Sequence, residues 1–212
     1  MYYSMYGLTK SELAILKPLT TPIKIQNFLD RLPRNWEKNG ETYMSPRRSL
    51  KAKKVHCFEG ALLAALALML HGEPPLLLDL RAKGDDDHVV ALYRRNGYWG
   101  AISKTSYASV RFRDPIYKTL RELALSYFHE YFDNKSGKKC LREYSSTPFN
   151  LRHLGTAWIT AEEDLYDVVN AIDSAPHRSL IPKKNRRLIR PADKMERRAG
   201  RLMEWPKNHP RT

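Results

Sequence analysis

Cys57 and His88 are the residues whose types and positions best suit chemistry. Cys57 opens the run Cys57-Phe58-Glu59-Gly60, which leads into the apolar stretch Ala61–Leu70. Apolar nearly all round, that stretch reads as a buried helix. At a helix start the backbone N–H groups lack intrahelical partners and together carry roughly half a positive charge. Such a place favours thiolate, the reactive form of cysteine, and can lower its pKa from about 8.5 to roughly 3.5–7.5. The same N–H groups can hold the oxyanion of a tetrahedral intermediate. Lys53, Lys54 and His56 come just before. A nucleophilic thiol needs a base, and His88 is the candidate, starting a strand pattern directly after Asp85-Asp86-Asp87. Each residue also has a plainer reading, Cys57 as a small core residue and His88 as an ordinary strand-end histidine. His71, His129 and His153 read as helix-end or loop surface.

The elements that must position this pair follow from pattern. Weak helical signal covers Ser11 to Leu16. Thr21-Pro22 starts a helix, Thr as cap and Pro at the first turn, that Pro33 ends. Pro46 to Leu50 suggests a short helical turn. The Cys57 helix closes at His71-Gly72. Leu76 to Leu80 then reads as a buried strand, with Lys83 to Asp87 as a polar loop. His88–Arg94 and Tyr98–Lys104 flank Asn96-Gly97, the strongest short hairpin signal. Asp114-Pro115 predicts a helix start, with apolar positions from Ile116 to Tyr131 on one face. Thr160, with Glu163 as capping-box partner, predicts another helix that Pro176 ends. A basic helix is expected after Pro191. Strands grouped between helices give an α+β class.

The block Ser45-Pro46-Arg47-Arg48-Ser49-Leu50 through His56-Cys57-Phe58-Glu59-Gly60-Ala61-Leu62 resembles the start of the transglutaminase-like superfamily core, which has a papain-like cysteine-enzyme fold. Members place a basic or Gly residue and then the nucleophilic Cys at the start of a long Ala/Leu-rich helix. A short turn and a strand follow, here His71-Gly72-Glu73-Pro74 and Leu76 to Leu80. His then starts a strand, here Asp87-His88-Val89-Val90-Ala91-Leu92-Tyr93, ahead of Gly97 and Trp99. The resemblance covers about residues 45–105. It implies that Cys57 attacks an amide or peptide carbonyl and that His88 passes a proton to the leaving amine, with no cofactor. Hydrolysis, deamidation and amine transfer share those steps.

The acid of that family would fall near Ser103 or Lys104, and neither is acidic. A two-residue turn at Asn96-Gly97 pairs Arg95 with Tyr98, and counting back sets Val90 opposite Ser103 and His88 opposite Thr105. His88 and Ser103 then share one face, while Lys104 points the other way. Ser103 therefore stands at the third position with a hydroxyl, which can orient an imidazole without adding charge. Asp79, Asp85, Asp86, Asp87 and Asp114 remain as carboxylates that could come from elsewhere, and Gln26 and Asn27 as polar side chains for an oxyanion hole.

The chain has 212 residues, 42% hydrophobic and 28% charged, enough for one core of ordinary composition. Its longest apolar run is too short for a membrane span, which needs roughly 20 residues. Met1 to Tyr6 shows no signal-peptide pattern. Cys57 and Cys140 make a poor disulfide framework and suggest the reducing cytosol. Cys140 falls in a loop after Gly137-Lys138-Lys139. Paired metal-ligand spacings and a Gly-rich phosphate loop are absent from the sequence. Net charge is +14, and residues 178–212 hold +9 of it, 12 Lys/Arg against 3 carboxylates. Residues 1–177 thus read as one domain and 178–212 as a basic extension. Leu188, Ile189, Met195, Leu202, Met203 and Trp205 are interleaved there, so part of it is expected to dock on the body. The basic extension gives an alternative function: a non-catalytic binding module on the same fold, touching nucleic acid or another polyanion.

Overall fold

A computed structural model of the chain describes residues 5–37 and 40–204. Its helices and strands in chain order are α1 (Lys10–Leu16), α2 (Pro22–Arg31), α3 (Pro46–Ala52), α4 (Cys57–Leu70), β1 (Leu76–Ala82), β2 (His88–Arg95), β3 (Tyr98–Ile102), β4 (Arg113–Tyr117), α5 (Leu120–Phe128), β5 (Leu141–Ser145), β6 (Phe149–Asn150), α6 (Tyr166–Asp173), β7 (His177–Ser179) and α7 (Lys194–Gly200). The protein is of α+β class, built on one antiparallel sheet in the order β4-β3-β2-β1-β5-β7, with β6 also pairing β1. Among the described residues no helix is long and apolar enough to cross a membrane.

Strand alternation divides the core into two layers. Leu77, Val89, Ala91 and Tyr93 meet α4 on one face of the sheet. Leu78, Leu80, Val90, Leu92 and Ala101 meet α5 on the other. Helix α4 is buried from Phe58 to Met69, as its Ala/Leu composition demands, with α2 and α3 packed outside it. The hairpin pairs Arg95 with Tyr98 and runs through Ala91↔Ile102. Asn96 and Gly97 both take positive φ, 50° and 85°, as a turn that matches strand twist requires.

Gly60 decides how closely α4 approaches the end of β3. A Cβ there would stand 2.6 Å from Lys104 Cβ. Only a bare backbone lets the buried Lys104 stem pass, and its Nζ then donates to the carbonyl of Leu32 at 2.6 Å.

Two expected elements differ. Asp114-Pro115 does not start a helix but lies inside β4, at the sheet edge. An edge strand tolerates Pro, since one row of its N–H groups needs no partner. Thr119 caps α5 instead, accepting from the Glu122 N–H. Likewise Thr160 ends a 3-10 turn, Ala157–Ile159, and α6 begins only at Tyr166. Asp164 is held by the Tyr43 N–H and by Arg48, both at 2.8 Å, so tertiary bonds override the local cap signal.

The C-terminal segment is woven into the body. Strand β7 pairs with β5, Leu180, Ile181 and Ala192 are buried, and Glu204 reaches Arg111 at 2.7 Å. Helix α7 follows Asp193, which caps it. Leu188, Met195 and Leu202 stay exposed, and Trp205 lies outside the described residues.

Candidate functional site

Cys57 is the first residue of α4 and is half-buried. The N–H groups of Cys57 and Phe58 take no hydrogen-bond partner among the described residues, as the first turn of a helix leaves them. His88 is the first residue of β2 and pairs with Leu80, so its ring belongs to the α5 face, 6.3 Å from the ring of Tyr127. Cys57 comes from the helix on the opposite face. The two line one cavity of about 510 Å³.

Ser103 follows β3 directly and is fully buried. Its Oγ is 2.8 Å from His88 Nε2 and 2.9 Å from the carbonyl of Val110. A carbonyl only accepts, so the single hydroxyl proton goes to Val110. The Oγ must then accept from Nε2–H, which fixes the tautomer of a neutral His88. The nitrogen left for Cys57 is Nδ1.

Gln26 holds Ser103 in place. Its Nε2 donates to the Ser103 carbonyl at 2.9 Å, and its Oε1 accepts from the Ser103 N–H at 3.0 Å. With both ends of its amide engaged, Gln26 is no oxyanion donor but a clamp on the residue that holds His88. Asn27 is exposed and does not line the cavity.

None of the candidate carboxylates is bonded to His88. Asp79 pairs in register with Val89, which puts it on the other face, and its Oδ2 sits 3.0 Å from His177 Nε2. Burial, and then the charge of Asp87, push the Asp79 carboxyl up to about 6 against the pull of His177. Asp87 accepts from the Ala82 N–H and Asp85 from the Asp86 N–H. Asp114 is exposed on β4 and away from the cavity. His71, His129 and His153 are exposed.

Pattern alone missed His56, Asn35 and Glu59. His56 precedes α4 in extended conformation, and its Nδ1 is 4.0 Å from Cys57 Sγ. Its Nε2 meets the carbonyl of Thr42 at 2.7 Å. Glu59 is fully buried at the third helical position and accepts from the His56 N–H at 2.9 Å. The signal was present: an acid three residues beyond a helix cap reaches back to the cap's N–H.

Burial alone would push the Cys57 thiol up, but hydrogen bonds from His56 and then His88, and the charge of His88 and then His56, hold it well below the ordinary thiol value. Cys140 behaves differently. It is buried rather than an open loop residue, its Sγ facing the Lys138 carbonyl at 3.2 Å, and burial pushes its thiol up. The cavity lining holds eight carboxylates, Asp85, Asp86, Asp87 and Glu130 among them, against Arg34 and Lys104. A chain of net charge +14 thus sets an excess of carboxylates around Cys57.

The sequence matches no protein-family model and no curated protein.

Proposed function

We propose that the chain is a transglutaminase-like cysteine enzyme, with a papain-like core, that cleaves or transfers acyl groups from amide bonds. One observation carries this reading. A thiol lowered well below its ordinary value at a helix start shares a cavity with a histidine whose Nε2–H is fixed on Ser103, leaving Nδ1 without a proton. The Cys57 thiolate attacks the carbonyl carbon, and the N–H groups of Cys57 and Phe58 hold the resulting oxyanion. His88, having taken the Cys57 proton on Nδ1 as the thiolate formed, gives that proton to the departing amine as the C–N bond breaks. Water or a second amine then adds to the thioester, His88 Nδ1 takes its proton, and the thiolate leaves. Ser103 positions His88 and supplies no charge. The carboxylates around the cavity favour a substrate with cationic side chains beside the scissile amide.

Electrophilic peptides that carry lysine or arginine, compared with matched acidic ones, test both statements by mass spectrometry. Rapid adducts on Cys57 of the folded protein are expected, faster with the basic peptides. Labelling of Cys57 only after unfolding overturns the enzyme. Equal rates for the two peptides overturn the cationic preference.

A second reading is a non-catalytic module that binds a polyanion through residues 178–212. It draws support from the neutral hydroxyl at Ser103 and from Lys183, Lys184, Arg186, Arg187 and Arg190, all exposed. Binding of single-stranded oligonucleotide that falls steeply with salt and survives Cys57→Ala would favour it.

A further inference from the structure

We infer that His56 is the cation of the site: a fixed imidazolium that holds Cys57 as thiolate, while His88 alone moves protons. This rests on the proposed nucleophilic role of Cys57 and assigns a part that the three residues Cys57, His88 and Ser103 leave unfilled.

The argument starts from what each ring nitrogen of His56 faces. Nε2 lies 2.7 Å from the Thr42 carbonyl, which can only accept, so Nε2 carries a proton. Two carboxylate oxygens stand behind the same nitrogen, Glu59 Oε1 at 3.4 Å and Glu37 Oε1 at 3.7 Å. On the other side Nδ1 faces Cys57 Sγ at 4.0 Å. A second proton on Nδ1 therefore points at the thiolate, with two anions supporting the ring from behind. The ring is also held in plane, edge-on to Tyr43 and stacked on Phe58.

Glu59 is enclosed by donors. It is fully buried, yet every partner is a donor: the N–H of His56 and of Met44, the Thr42 hydroxyl and the Asn35 amide. Hydrogen bonds from so many donors match a carboxylate's acceptor-only oxygens. His88 has no such support. Its bonded partner is the neutral Ser103 hydroxyl, which suits a ring that must gain and lose a proton in each cycle.

Both histidines lower the Cys57 thiol, and the hydrogen bond from His56 is the largest of these effects. Burial pulls His56 down, but the hydrogen bond and charge of Cys57, then Glu59 and the Thr42 carbonyl, raise it to about 9. The ionisable groups facing the ring are Cys57 and Glu59 on α4 and Glu37 and Tyr43 on the segment before α3. The Tyr43 phenol is pushed up to about 12 by burial and by Glu41, so it stays neutral. The negative charges from both sides thus act in one direction.

The test follows the pH dependence of Cys57 alkylation by iodoacetamide in the full chain, in wild type, His56→Gln and His88→Gln. Cys140 is the internal control, since its burial protects it while the fold is intact. Wild type is expected to react with a midpoint well below that of a free thiol. His56→Gln is expected to raise that midpoint, slowing alkylation at pH 6.5 at least 10-fold. His88→Gln is expected to leave the midpoint within a few tenths of a pH unit while abolishing turnover of an amide substrate. A midpoint that rises in His88→Gln, alone or as much as in His56→Gln, overturns the inference but leaves the nucleophile standing. An ordinary wild-type midpoint overturns the nucleophile itself. Should His56→Gln expose Cys140, nitrogen-15 spectra of wild type decide. His56 is expected to be doubly protonated at pH 7, and a neutral His56 overturns the inference.

Discussion

The hydroxyl of Ser103 accepts from His88 Nε2 at 2.8 Å because its own proton is spent on the Val110 carbonyl at 2.9 Å. In the proposed enzyme this pair performs the orienting half of what a triad acid does and omits the charge. The charge is found instead around His56, where two carboxylates lie within 3.7 Å of one ring nitrogen. On the proposed reading, orientation and electrostatic support, which one carboxylate usually combines, are divided between two histidines.

Replacing Ser103 by Ala removes the acceptor for Nε2–H and the donor to Val110. The ring can then take the other tautomer, which blocks Nδ1. Turnover of an amide substrate is expected to fall roughly 10²-fold, while the alkylation midpoint of Cys57 stays put. Two buried groups lose partners, so urea unfolding should register a loss of about 1–3 kcal/mol.

Gly60→Ala would set a Cβ 2.6 Å from Lys104 Cβ. The Lys104 backbone is next to Ser103, so relief of the clash pushes the end of β3 away from α4. We expect destabilisation of about 1–3 kcal/mol by urea titration. Turnover should fall more than that loss alone explains, because Ser103 moves with its neighbour.

Asp79 gives stability a pH dependence of unusual sign. Its folded pKa, about 6, lies above its unfolded value near 3.8. Between those values the folded state binds more protons, so this group's contribution falls as pH rises from about 4 to about 6. Its size is about 3 kcal/mol at most. Asp79→Asn keeps an acceptor for His177 and loses the titration. Compared with wild type at pH 4 and pH 7, the variant should gain relative stability at the higher pH. An unchanged difference between the two proteins would overturn this prediction.

Deletion of residues 178–212 removes part of β7, the buried Leu180 and Ile181, and the Glu204 carboxylate that faces Lys104 and Arg111. Each buried aliphatic side chain is worth about 1.5–3 kcal/mol, so the melting temperature should drop sharply. Deleting only 183–212 keeps those two side chains and should cost less. If both truncations melt like the full chain and only oligonucleotide binding is lost, the basic segment is an independent arm.

The sequence by itself determined the elements that rest on local rules. The Ala/Leu run of α4 is helical and buried because apolar residues cover its whole surface, and Asn96-Gly97 fixes the β2–β3 register because few residues tolerate positive φ. That register, with the two-residue alternation of a strand, already put His88 and Ser103 on one face. Only the tertiary structure decided the rest. Whether Asp114-Pro115 begins a helix depends on β4 being an edge strand, and whether Thr160 caps one depends on Arg48 and Tyr43, more than 100 residues away in sequence. The same holds within the site. Glu59 was legible as a helix-start acid, but its burial against Asn35, Thr42 and Met44 was not. Periodicity reports which face of an element is apolar. It carries no record of which polar group from a distant segment will be enclosed beside it.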